Sequence, residues 1–187
     1  MKKNPDRHAP ALYPYRDPVT KLWGYSDQMF NRGNVVIPCR YNGVMEFSEG
    51  LAAVCEQPAA KGGLWGAIDT EGRQVIPFRF SLLFSFHEGF AVVQMPAAEG
   101  MREGYIDMTG EIVIPCTWYQ AFQFSDGMAL VKSVIDKDWR YGFIDRTGKP
   151  VIPCIYREAD FFHDGKATVT DSSLATFIID KSGKRID

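Results

Sequence analysis

"GYIDMTGEIVIPCTWYQAFQFSDGMALV" spans residues 104–131, and "GFIDRTGKPVIPCIYREADFFHDGKATV" spans residues 142–169. The second stretch repeats the first at the same length, and a repeat of this size governs how every other part of the chain is read. Its aspartates, cysteine and neighbouring histidine invite a catalytic or metal reading. Working outward, the aspartates recur at Asp27, Asp69, Asp107, Asp145 and Asp180, spaced 42, 38, 38 and 35. Ile-Pro recurs at Pro38, Pro77, Pro115 and Pro153, and a glycine follows twelve residues after each proline, at Gly50, Gly89, Gly127 and Gly165. Length changes fall elsewhere. Copy one carries three extra residues between Asp27 and Gly33, and the connections between copies vary, as a fixed structural unit predicts.

Within one unit, "LWGAIDTEGRQVIP" places two apolar runs on either side of Asp69-Thr70-Glu71-Gly72. An aspartate that accepts backbone N–H groups ahead of it, followed by glycine at positive φ, predicts a tight turn and hence a β-hairpin. Pro77 lacks a donor and is expected to close the second strand. Aromatic and apolar residues then follow three apart, as in Phe80, Leu83 and Phe86, which predicts an irregular segment with a helical or 3₁₀ turn whose side chains plug the core. Next come Ala52/Val54, Ala91/Val93, Ala129/Val131 and Ala167/Val169, whose spacing of two predicts a third strand with one buried face. Its other face reads Leu51/Ala53, Phe90/Val92 and Met128/Leu130 but then Lys166/Thr168, so the fourth copy is expected to turn that face to water. Each unit thus holds roughly three strands. One alone buries too little to stand in water, and stacking supplies the core, at about 1.5 to 3 kcal/mol per large apolar side chain.

A chain of 187 residues with 45% hydrophobic residues can bury such a core. The net charge of −2, with no concentrated basic run, argues against nucleic acid, which demands phosphate neutralisation. The first twenty residues hold four prolines and no apolar core of a secretory leader, and no stretch approaches a membrane span. Four cysteines in a chain of this size are expected as reduced thiols in a cytoplasmic protein.

Trp23-Gly24 and Trp65-Gly66, together with "IDTEGRQVIP" and "FHEGFAVV", resemble the bacterial WG-repeat family, also called KWG repeats. The resemblance runs from residue 22 to 187, divided into repeats at about 22–63, 64–101, 102–139 and 140–174 and a partial repeat at 175–187, behind an N-terminal extension of residues 1–21. Copies three and four depart from it, with Glu103 and Tyr141 in place of tryptophan, and Thr176-Phe177 stands for Trp-Gly in the partial repeat, which is expected to pair with copy four. The resemblance implies an all-β array of about 38 residues per repeat, as an open twisted hairpin array or solenoid, or alternatively a closed propeller-like ring. It also implies an interaction module with no catalytic residues to carry over.

Candidate sites weigh as follows. Each aspartate loop offers one or two carboxylates, too few for the six to eight oxygens that calcium takes, so turn stabilisation is expected. Cys39, Cys116 and Cys154 share one position with Phe78, which argues against zinc. His87 and His163 alternate with serine, which suits a residue capping a turn through local hydrogen bonds rather than a general base. No catalytic residue, metal or cofactor is therefore expected. The places where copies disagree are the better candidates: the insertion Gln28 to Arg32 with Phe30 and Arg32, the linkers Gln57 to Gly63 and Pro96 to Arg102, and the segment Ile135 to Arg140, where Trp139 stands between Asp138 and Arg140. The bland reading of Trp139 is that it covers its own hairpin. The expected function is non-catalytic protein binding, with neither nucleic acid nor membrane as partner. Binding of a small ligand or glycan is the alternative, and an immunity-type inhibitor of a toxin a further one.

Overall fold

The structure, a computed structural model, describes residues 11–29, 33–56 and 63–187. They form two compact units that meet in the chain between Arg79 and Phe80. All regular structure among the described residues is antiparallel β, in five sheets whose strands neighbour one another in chain order. The first unit holds β1 (Tyr13–Arg16), β2 (Trp23–Ser26) and β3 (Val35–Tyr41) as one sheet. Its second sheet runs β4 (Gly43–Val44), β5 (Leu51–Cys55), β6 (Trp65–Asp69) and β7 (Gln74–Phe80). The second unit begins with β8 (Leu82–His87), β9 (Phe90–Ala97), β10 (Gly100–Asp107) and β11 (Ile112–Trp118). It continues with β12 (Gln120–Ser125), β13 (Met128–Ile135), β14 (Asp138–Ile144) and β15 (Pro150–Tyr156), then β16 (Glu158–Ala159), β17 (Lys166–Thr170) and β18 (Thr176–Asp180).

The three expected strands are present in each of the four copies, and the segment expected to be irregular supplies a fourth, six residues long in copies two and three (β8, β12) but only two in copies one and four (β4, β16), where residues 45–47 and 160–162 stay irregular. The spacing of three that suggested a helical turn comes from a β-bulge: Leu83 pairs with Val93 and Phe86 with Ala91, so one extra residue lies on β8. Ala121 and Phe124 on β12 repeat this against Val131 and Ala129. An extra residue in a strand returns side chains three apart to one face, which periodicity alone cannot tell from a turn of helix. The sheets are also offset from the sequence repeat. Each four-stranded sheet joins the last two strands of one copy to the opening hairpin of the next. The partial repeat follows the same rule, with β18 paired to β17 of copy four, and β1, within the N-terminal extension, fills the corresponding place beside β2.

Proline does not close the second strand, which runs through Pro38, Pro77, Pro115 and Pro153 for three further residues. These strands are last in their sheets, where a missing donor costs no ladder bond. Tyr105 pairs with Ile114 and Glu103 with Trp118, so two extra residues bulge outward around Pro115. The bulge lies over Gly104: a Cβ there would sit 2.5 Å from the Ile114 carbonyl oxygen and 2.7 Å from the Cys116 nitrogen. Gly24, Gly66 and Gly142 are approached in the same way, with 2.3, 2.5 and 2.6 Å to the corresponding isoleucine oxygens. The glycine of the Trp-Gly pair and the Ile-Pro strand are thus two halves of one contact.

Within each unit, consecutive sheets close on one another. Tyr25, Ile37 and Tyr41 of the first sheet meet Ala52, Val54 and Ile68 of the second. Tyr105 and Ile114 meet Phe124, Ala129 and Val131, and Phe143, Ile152 and Tyr156 meet Phe162, Ala167 and Val169. The Ala-Val face of each third strand is therefore buried, and Lys166 and Thr168 on the other face of β17 are exposed as expected.

Candidate functional site

The hairpin of β13 and β14 carries the most exposed tryptophan of the described residues. Asp136 and Lys137, at φ 51° and 69°, form its two-residue turn, so the segment Ile135 to Arg140 is ordered strand on both sides of the tip. Pro96 to Arg102 is likewise the tip of the β9–β10 hairpin rather than a linker. Lys132 pairs with Tyr141 and Val134 with Trp139, which brings these side chains to one face. Trp139 is 49% exposed and meets the Tyr119 ring edge-on at 5.2 Å. The Lys132 ammonium lies 5.0 Å from the Trp139 ring and 5.1 Å from that of Tyr141. The Arg102 guanidinium stacks on Tyr119 at 3.9 Å and donates to the carbonyls of Glu99 and Met101 at 2.8 and 2.9 Å. Arg140 turns back onto Asp138 at 2.9 Å and donates to the Trp139 carbonyl. Phe30 and Arg32 lie outside the described residues, as does most of the Gln57 to Gly63 linker.

Sequence reasoning found Trp139 and the stretch that ends at Arg102, and missed Tyr119, Lys132 and Tyr141, which complete the surface. The signal was available: with a two-residue turn at Asp136-Lys137, strand alternation alone sets Lys132 beside Tyr141.

The remaining candidates are absorbed by architecture. Asp107 Oδ1 accepts from the N–H groups of Thr109 and Glu111 and from the Thr109 hydroxyl at 2.9, 3.1 and 2.6 Å. Asp145 and Asp180 repeat the arrangement, and so does Asp171, which the alignment did not single out. The Thr109 hydroxyl foremost, with the backbone donors, holds the Asp107 carboxyl below its ordinary value despite some desolvation. Burial pushes the thiols of Cys116 and Cys154 up, away from the reactive thiolate. Ser125 does not cap its own turn; its hydroxyl donates to the Phe162 carbonyl of the next sheet at 2.7 Å. His163 is exposed and lies 3.4 Å from the Asp164 carboxylate.

Two of the acidic residues that precede a turn glycine, Glu88 and Asp126, have a role the sequence did not announce. Glu88 accepts the N–H of Gly127 at 2.9 Å and Arg146 binds it, so the β8–β9 turn clasps two points of the following sheet. Asp126 accepts from Gly165 at 2.6 Å and pairs with Lys181 at 2.7 Å in the same way. A cavity of about 260 Å³ lies among Trp118, Val131, Phe143, Ile152 and Cys154. It is smaller than common ligand pockets and offers few converging polar groups.

The family described as "WG containing repeat" matches residues 23–57, 65–95, 104–133 and 141–171. No curated protein matches the chain. Among solved structures, the WD40 β-propeller domain of Doa1 is 12% identical at a TM-score of 0.40, covering 92% of this chain, which spans 59% of that one. The computationally designed Ika4 protein is 13% identical at a TM-score of 0.44, covering 72% of this chain and 87% of its own. With four family matches in register with the four copies of hairpin, bulge and buried strand, the chain belongs to the WG-repeat family.

Proposed function

We propose that this chain is a non-catalytic protein-binding module and that the surface of Trp139, Tyr119, Lys132, Tyr141 and Arg102 on the second unit contacts its partner. The observation that carries the reading is the half-exposed Trp139, held edge-on against Tyr119 and flanked by a cation. Large rings already fixed by their neighbours lose little freedom on binding, and tryptophan, tyrosine and arginine are the residues that most often dominate interface energetics. The recurrent polar residues, by contrast, are spent on turns and on clasps between sheets, which leaves them engaged rather than poised for chemistry.

The test compares the unaltered chain with Trp139→Ala in crosslinking capture from the source cell, alongside thermal unfolding of both. A protein retained at a fixed ratio by the first and lost by the second, with Tm moved by less than about 2 °C, supports the reading, because an exposed side chain contributes little to folding. Equal retention by both, or stabilisation of the fold by a sugar or metabolite in a manner dependent on Trp139, overturns it.

A further inference from the structure

Gly24 and Gly66 of the Trp-Gly pairs, their counterparts Gly104 and Gly142, and Phe177 occupy equivalent places. Gly66 pairs with Val54, Gly104 with Val93 and Gly142 with Val131, and Phe177 pairs with Val169 in the same register. At each glycine the backbone of the following Ile-Pro strand passes so close that a Cβ would lie 2.3 to 2.6 Å from the isoleucine oxygen. The beginning of such a strand is also present beside β18: Ile179 bridges Arg185 as Ile106 pairs with Ile112, and the Ile186 N–H donates to the Ile178 carbonyl at 2.9 Å. The next residues of a strand in that register would have to cross the face of β18 that the Phe177 side chain covers. Its ring centre lies 6.2 Å from that of Tyr156, edge-on, and 4.8 Å from the Arg185 guanidinium.

We propose that Phe177 is a stop residue: it prevents β18 from taking a bulged Ile-Pro strand as fourth partner, and so seals the edge of the fifth sheet against addition of another repeat strand. A sheet edge offers unpaired backbone groups to any passing strand, and a bulky side chain on the approach path is a direct way to blunt it. Stacking is discouraged at the same sheet by the exposed Lys166 and Thr168, where β13 presents the buried Met128 and Leu130 to its neighbour.

The experiment gives the edge a strand to accept. In the full chain, Asp187→Ile is combined with six appended residues copying Pro153–Glu158, in three versions: Phe177 retained, Phe177→Ala and Phe177→Gly. Amide hydrogen exchange reads the appended residues. Because any Cβ meets the crossing backbone, the first two versions are expected to exchange them at the rate of an unstructured chain, and the Phe177→Gly version at least about tenfold more slowly. Phe177→Ala loses the same ring contacts to Tyr156 and Arg185, so it separates the effect of those losses on folding from the effect of clearing the path. Protection with Phe177 retained or with Phe177→Ala overturns the proposal, as does unprotected exchange in the Phe177→Gly version.

Discussion

Replacing Gly104 with alanine places a methyl carbon 2.5 Å from the Ile114 oxygen and 2.7 Å from both the Cys116 nitrogen and the Pro115 carbonyl carbon. All three are backbone atoms, so no side chain can swing aside. Relief needs β11 to retreat by roughly 0.7 Å or more at its bulge, which strains the flanking pairs Tyr105 with Ile114 and Glu103 with Trp118. Overpacking of this kind costs about 2 kcal/mol. Alanine also restricts the unfolded chain, which returns about 0.7 kcal/mol. The expected net loss is about 1.3 kcal/mol, a fall in Tm of about 3 to 5 °C at this chain length. Thermal and urea unfolding followed by circular dichroism measure it. Gly142→Ala meets the Ile152 oxygen at 2.6 Å and is expected to cost the same. The two lie in different sheets, so their losses should add. An alanine at either position that leaves Tm level or higher refutes the account of the Trp-Gly glycine as the seat of a crossing backbone.

Tyr105→Phe removes the hydroxyl that donates to the Phe122 carbonyl at 2.7 Å in a buried setting, and is expected to cost about 1 to 2 kcal/mol, read as a lower urea midpoint. Leu174 stands at φ 68° in a turn of the kind where Gly148 stands at 82°, and its side chain is 69% exposed. Leu174→Gly should relieve left-handed strain at small loss of packing and raise stability by about 0.5 to 1 kcal/mol after the added freedom of the unfolded chain, visible as a higher Tm. The carboxyls of Asp107, Asp145 and Asp180 are held below the ordinary 3.8, foremost by the hydroxyls of Thr109, Thr147 and Ser182. A lowered folded value gives stability that is fully present above the unfolded value and lost as pH falls through the folded one. Tm should therefore be level from about pH 5 to 8 and decline below about pH 4.

The opening hairpin of every copy was legible in the residues because its determinants are local. Asp107, Thr109 and Gly110 set a turn by bonds that span four residues, and Ala129 and Val131 declare a buried face by period two. The bulged strands were not legible. Leu83 and Phe86 share a face only because β9 offers Val93 and Ala91 to them, and a bulge is a relation between two strands rather than a property of one. Trp139 was found as an oddity in the repeat, whereas Tyr119 and Lys132 joined it only once the hairpin register was known.

The sequence by itself determined that this chain is a tandem β array, which face of each third strand is buried, and that the polar face of Lys166 and Thr168 breaks the pattern. Those properties depend on turn chemistry and on the alternation of side chains, both written within a few residues. Tertiary structure alone decided that a sheet draws its strands from two copies, that Glu88 and Asp126 clasp the sheet that follows, and that Gly104 leaves room for a crossing backbone. Each of these is a contact between atoms some ten to forty residues apart, and only the folded register brings them to the distance at which a hydrogen bond or a missing Cβ matters.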